Sequence, residues 1–442
     1  MKILTLDGLT TYDTKIKDYI SSLYNENLWY GFQYDTTISD PKVTRIGNLS
    51  LHKAINLPLQ SKIKGCLLYG ITGKVNRYLN PTDWSSEILD GSAGQVMVEL
   101  PKLYFKCETE GTIVRMKFSE LPLGGFHKIS QMYVGAFEGT IDRDNNQFAS
   151  VMSMDAKYRG GNNDATLDDT YKSLLGRPAT AFSRINGQIY ARNRNASASS
   201  EWNLYTYLAH KLLYWMFILE YGTRNSQAPV TAELTSEGYR QGGLGNGVTN
   251  MVDWSGFNGY YPFVKCGHTN SLGNGSGEIA YDVINEDGTT RCTVMANRYR
   301  GVEQPFGHIY KWVADLNIDV KTDEDGGTSK VYICNKPEDF SDVDVVNYEY
   351  RGLEARNNGY VSKIIAGEYG DILPLEVGGG SSTHFCDYHY TSITSSSLSG
   401  VCFGGYAFSG SSAGFAFALS PYSPARTFAH LGSRLCFIPE NE

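Results

Sequence analysis

The chain has 442 residues, 13% of them aromatic, with 31 tyrosines and a formal net charge of −8. That length exceeds one small core, so two or three structural units are expected. The acidic balance, without a basic stripe, argues against nucleic acid or an anionic membrane as partner.

The longest apolar stretch, within 212–219, falls far short of the roughly 20 residues that a helical membrane span requires. The opening MKILTLDGLTTYDTKIKDYI has no apolar signal core before a small-residue cleavage site, so no signal peptide is expected. Eight cysteines (66, 107, 266, 292, 334, 386, 402 and 436) show neither a C-x-x-C pair nor regular spacing. They are expected to be buried free thiols rather than disulfides or metal ligands.

In chain order, Leu9, Tyr12, Ile16, Tyr19 or Ile20, and Leu23 recur at intervals of three and four after Asp7-Gly8, which predicts a helix over 9–23. Too short to stand alone, residues 1–24 are expected to be an attachment or oligomerisation segment; a helix folded onto its own domain is the alternative. The start Leu6-Asp7-Gly8-Leu9-x-x-Tyr12 is similar to the beginnings of many phage tail-fibre proteins. Residues 25–95 carry Pro41, Pro58, Pro81 and short apolar runs, and read as a small β-rich connector.

The alternating runs VMVELPKLYFK and TIVRMKF flank Glu110-Gly111 and predict a hairpin, with a further strand over Met132–Glu138. The clearest helix is expected over Glu201–Tyr221, capped by Ser199 or Ser200, striped by Leu204, Leu208, Leu212, Met216 and Leu219, and ended by Gly222. Gly-rich stretches at 242–247, 273–277 and 378–380 lack the strand-then-helix flanks of a phosphate site and read as loops. Asp287-Gly288 and Asp325-Gly326-Gly327 mark two hairpin turns, the second leading into Val331–Cys334.

Candidate chemistry is sparse. His308 with Glu303 would make a base and its orienting partner, and Cys266-Gly267-His268 half a thiol site, but no spacing forces either set together. Asp142-Arg143-Asp144-Asn145-Asn146 begins like a calcium loop, yet Gln147 and Ser153 stand where Gly and Glu are needed, so a hydrogen-bonded turn is expected and no metal.

The most informative stretch is VCFGGYAFSGSSAGFAFALSPYSPARTFAHLGSR at 401–434. Up to His430 it has Phe403, Tyr406, Phe408, Phe415, Phe417, Tyr422 and Phe428 but no Asp, Glu or Lys. Rings combined with Ser and Gly give large contact area and adaptable hydrogen bonding at small entropic cost. The same composition also suits the turns and strands of a buried hairpin, so composition alone leaves both readings open.

Within this run, Phe403-Gly404-Gly405, Gly410, Ala413-Gly414-Phe415 and Gly432-Ser433-Arg434 resemble the framework of C-type-lectin-fold variable proteins. Those proteins are diversified by retroelements in phages and gut bacteria and include tail-fibre tropism determinants. Arg298–Trp312 likewise looks like the Gly-Asn-x-Trp-Glu-Trp segment of lectin-like and formylglycine-generating folds.

The resemblance implies an α+β protein with a C-type lectin-like (formylglycine-generating-enzyme-like) domain over 96–442 and a variable region at about 384–434. The framework residues above, with Trp312, would be scaffold, and Arg434 would hold several loop carbonyls. Tyr406, Phe408, Ser409, Ser411, Ser412, Phe417, Ser420, Tyr422, Ser423, Thr427, Phe428 and His430 would be displayed for ligand binding.

The implied function is recognition of a host-surface protein or glycan by a trimeric protein at a phage tail tip. Such a protein is made in the bacterial cytoplasm, meets other tail components through its N-terminal helix, and has no cofactor and no enzymatic activity. A bacterial adhesin of the same fold is the alternative within binding. A formylglycine-generating, sulfatase-modifying enzyme is the alternative outside it, although the close cysteine pair of such enzymes is missing: Cys402 and Cys436 straddle the run instead.

Overall fold

The computed structural model describes the chain except residues 1–9, 18–26, 53–56, 169–172, 196–198, 231–263, 285–286, 408 and 441–442. The architecture is α+β and mostly β-sheet. Among the described residues no helix is long and apolar enough to cross a membrane.

Three sheets carry the fold. The first runs Thr44–Gly47, Tyr30–Asp35, Ile113–Ser119, Leu103–Glu110, His127–Ile129, all antiparallel. The second runs Trp202–Leu204, Leu435–Phe437, Met132–Gly135, Gln95–Leu100, Lys64–Leu68, Val75–Tyr78. The largest runs Glu349–Leu353, Ser329–Ile333, Tyr310–Val320, Ser397–Phe403, Ala418–Tyr422, Tyr388–Tyr390, Gly359–Ala366, Asp371–Val377, with Leu431–Gly432 parallel to the start of Tyr310–Val320.

The predicted hairpin forms, Leu103–Glu110 against Ile113–Ser119, with Gly111 at φ +60° in its turn. The residues just before it behave differently: Gln95–Leu100 belongs to the second sheet, and the chain changes sheet at Pro101, which has no N–H to extend a ladder. The two other predicted turns also close hairpins, Gly277–Ile284 with Thr290–Tyr299 and Tyr310–Val320 with Ser329–Ile333.

Residues 25–95 are not a separate connector at the level of sheets. Tyr30–Asp35 pairs with Ile113–Ser119, and Lys64–Leu68 with Gln95–Leu100, so the boundary expected at 95 cuts through both ladders. At the N-terminus residues 10–17 are helical and exposed, with Tyr12 at 62% and Ile16 at 39%. Leu9, Tyr19, Ile20 and Leu23 of the predicted seam lie outside the described residues.

The central helix, Tyr207–Tyr221, starts later than predicted. Thr206 is its N-cap, accepting from the Ala209 N–H, while Trp202–Leu204 pairs as a strand with Leu435–Phe437; cross-strand partners override local helix propensity there. Gly222 ends the helix in the left-handed conformation at φ +71°. The helix is apolar nearly all round because it is covered on more than one side. Trp215 packs on Phe105 and Phe118 of the first sheet, at 4.9 and 6.0 Å between ring centres, while Tyr207 and Tyr214 stack on Phe403 and Phe415.

The strand Tyr310–Val320 shifts register against Ser397–Phe403 between Trp312 and Asn317. The carbonyls released by this irregularity are taken up by Arg184, which donates to Val313 O at 3.2 Å, Leu316 O at 2.7 Å and the Asn317 side chain at 2.6 Å. The same detour aims Asp315 at the start of the central helix, where its carboxylate accepts from Tyr207 N at 2.5 Å and Leu208 N at 3.2 Å. Burial raises its pKa to about 6.

Candidate functional site

The 404–417 loop is held from beneath by buried polar side chains. Gln227 donates to Gly410 O and Ala413 O at 3.0 and 2.8 Å, His210 Nε2 meets Phe415 O at 2.7 Å, and the Ser226 hydroxyl accepts from Phe415 N at 2.8 Å. Asp387 accepts from Ala416 N at 2.8 Å and from Ser226 Oγ at 3.0 Å. Burial dominates the titration of both ionisable anchors: it raises Asp387 well above the usual carboxylate range and lowers His210 to about 3.

Gly404 and Gly405 have φ of +95° and +77°, and a Cβ on Gly405 would lie 2.9 Å from that of Ala413. Gly414 sits against Asp387. Gly410 is left-handed at φ +54° with open space around it, so its angle alone calls for glycine. Gly432 has an ordinary angle, but a Cβ there would fall 3.0 Å from the Ile309 side chain and 3.1 Å from Ala179 O. Phe403, Ala413, Phe415 and Trp312 are fully buried.

Arg434 is fully buried and gathers four main-chain carbonyls from two segments: Gly135 and Ala136 at 3.3 Å each, Gln304 at 2.6 Å, and Glu303. Its neighbourhood is a buried ionic cluster. The Glu138 carboxylate meets His308 Nδ1 at 2.5 Å and Lys311 Nζ at 2.9 Å. Burial works to raise the Glu138 pKa, but His308, Lys311 and Arg434 together outweigh it and hold it at about 2. Burial lowers Lys311 to about 8.

Over this scaffold lies a continuous series of rings. Tyr360 meets Tyr388 at 5.0 Å, Tyr388 meets Tyr390 at 4.5 Å, and Tyr390 meets Phe417 at 5.8 Å. Tyr310 then bridges Phe417 and Tyr406 at 5.5 and 4.8 Å; Tyr406 meets His430 at 4.8 Å, His430 stacks on Phe428 at 5.1 Å, and Phe428 meets Tyr422 at 5.3 Å. Tyr310 and Phe417 are the buried floor, Tyr390 is exposed, and the others are half-buried. Burial moves Tyr406 up to about 12 and His430 down to about 4, so both are neutral at pH 7.

Ser409, Ser411 and Ser412 lie half-buried beside the rings, Ser411 with its hydroxyl 3.4 Å from that of Tyr360; Ser423 and Thr427 are exposed. The arrangement can stack on flat apolar surfaces and offer hydroxyls around them, as neutral sugar or protein recognition requires.

Two residues expected on display are not. Phe417 is fully buried under Tyr310 and Tyr390, and Ser420 is fully buried with its hydroxyl donating to Glu354 Oε2 at 2.8 Å. The reason is that Ala418–Tyr422 is an inner strand, between Ser397–Phe403 and Tyr388–Tyr390, rather than part of a loop. Phe408 lies outside the described residues. Conversely, Tyr360, Tyr388 and Tyr390 join the ring series without having been singled out. The signal for two of them is the alternation Asp387-Tyr388-His389-Tyr390, in which Asp387 and His389 are fully buried and the tyrosines face out.

The groups considered for chemistry are taken up in structural hydrogen bonds rather than paired as expected. His308 pairs with Glu138, and its Nε2 accepts from Val264 N at 2.9 Å, while Glu303 accepts from Gly267 N, Thr269 N and Thr269 Oγ1 at 2.7–2.8 Å. Cys266 donates to Glu138 O whereas His268 turns to Ala280 O. Cys402 and Cys436 are buried in different sheets, and burial raises both thiols, Cys436 to about 12. Asp142 accepts from Asp144 N and Asn145 N at 3.2 Å, a closed turn. Among the described residues no group of three His, Cys, Asp or Glu is placed to hold a metal ion.

No protein-family model matches the chain, and no curated protein matches it.

Proposed function

We propose that this chain is a ligand-binding protein with a C-type lectin-like domain of the retroelement-diversified type, and that its recognition surface is the ring series from Tyr360 to Tyr422. The ligand is a host-surface protein or glycan, and the place of action a phage tail tip. The observation that carries this reading is the pairing of an aromatic surface with a rigid seat: the rings are contiguous while the loop beneath them is tied by Asp387, Ser226, Gln227 and His210. Rings prepositioned in this way lose little entropy on binding.

The test uses Tyr390→Ala and Tyr422→Ala in the full chain, with retention on candidate host cells as readout and thermal melts as a folding control. Folded variants that lose retention support the reading; folded variants that bind as wild type does overturn it. Neighbouring DNA distinguishes the diversified reading from an adhesin of the same fold: a reverse transcriptase gene and a near-copy of the 401–434 coding stretch belong only to the former.

A further inference from the structure

A cleft of about 720 Å³ opens between the first sheet, the central helix and the edge of the largest sheet, and shares no lining residue with the ring series. Its size suits a ligand of one or two sugar rings. Lys128 and Lys336 stand exposed at its rim, and Lys211 and Arg351, each with only 5% of its side chain exposed, lie deeper; Glu338 and Glu440 are the carboxylates of its lining.

Lys211 is already committed, with its ammonium 2.7 Å from Asp371 Oδ1 and 3.0 Å from Tyr369 O. Arg351 is not. Its guanidinium lies flat over the Tyr369 ring at 3.6 Å, and Nη2 reaches Glu349 at 2.8 Å. Among the described residues Nε and Nη1 are buried without a hydrogen-bond partner, and Nη1 faces the Asp371 carboxylate only at ion-pair distance, 3.8 Å. Buried guanidinium donors are ordinarily satisfied, and an oxyanion is the acceptor that satisfies them best.

The geometry points to a second binding site here, for a small organic anion whose carboxylate, sulfate or phosphate docks on Arg351. Tyr369 and the His127 ring, 4.9 Å from it, wall the ligand body. The rim lysines draw the anion in.

Calorimetric titration of the full chain with glucuronate, sulfate, phosphate and neutral glucose tests this. Binding of at least one anion, silence with glucose, and a loss of roughly ten- to a hundredfold in Arg351→Gln support the site. Preference for glucuronate identifies an acidic sugar, whereas preference for inorganic phosphate or sulfate identifies the free ion. Absence of binding by every anion, or equal affinity in wild type and Arg351→Gln, overturns it. Should Arg351→Gln fail to fold, the Lys128→Gln/Lys336→Gln double variant replaces it: several-fold weaker binding supports the site, and unchanged binding overturns it.

Discussion

Gly414 rests directly on the carboxylate of Asp387: a Cβ at Gly414 would fall 2.0 Å from Oδ1. Neither partner has room to yield, because Asp387 is itself fixed by Ala416 N and Ser226 Oγ. Gly414→Ala is therefore expected to cost about 3 kcal/mol or more in urea unfolding. Gly410→Ala, strained only by its backbone angle, should cost about 1–2 kcal/mol. Equal losses would show that the contact with Asp387 does not govern the loop.

Arg434 gathers carbonyls from two segments, so its loss strands several buried acceptors, each at about 1–3 kcal/mol. Arg434→Lys keeps the charge but not the planar spread of donors. Both Arg434→Lys and Arg434→Met are expected to unfold at much lower urea concentration than wild type. A lysine variant within about 1 kcal/mol of wild type would mean that charge alone is needed.

Ser420 and Ser423 look alike in sequence but occupy different environments. Ser420→Asn places a larger group in the core and disturbs the bond to Glu354, so a loss of about 1–3 kcal/mol is expected. Ser423→Asn, at an exposed position, should stay within about 0.5 kcal/mol of wild type. Thermal melts of the two variants decide the matter.

Glu354 supplies a pH signature. Burial raises its pKa from 4.5 to about 8, so between those values the folded protein holds a proton that the unfolded chain has released. Stability from this group is full below pH 4.5 and is lost as pH rises to about 8. Relative to Glu354→Gln, the wild type should lose on the order of a few kcal/mol across that window and run parallel above it. Denaturation curves at pH 5, 6.5 and 8 measure the difference; a constant offset would exclude a buried, titrating carboxyl.

The exposed helical turn at 10–17 offers Tyr12 and Ile16 to solvent, which suits assembly through this segment. The full chain is expected to be a trimer by light scattering, and Tyr12→Ser/Ile16→Ser to shift it towards monomer. A wild-type monomer at micromolar concentration would remove this expectation.

Local signals were legible where one rule decided the outcome. Glu110-Gly111 between alternating runs specified a hairpin, and Gly222 specified a helix end, because turn chemistry and capping act within a few residues. Trp202–Leu204 was misread as helix because its state is set by Leu435–Phe437, more than two hundred residues away in the chain. Ser420 was misread because the strand that buries it pairs in parallel with Tyr388–Tyr390, a relation with no local trace. Arg184, which repairs the irregular strand, and Arg351, which lines the cleft, are isolated arginines in sequence; only tertiary placement gives them roles.

The position of Leu435–Phe437 has a consequence for how the protein is made. This strand follows the ring-bearing stretch in the chain, yet it lies between Met132–Gly135 and Trp202–Leu204, bringing Arg434 with it. During synthesis, therefore, the second sheet keeps a gap until ribosomes have read through the whole 401–434 stretch. A frameshift or stop codon introduced there leaves two unpaired strand edges and no arginine to draw the segments together, which favours aggregation and degradation over a folded but truncated product. Closure of the second sheet thus waits on the last strand of the chain to be made: only once residues 435–437 are present can Met132–Gly135 and Trp202–Leu204 be joined.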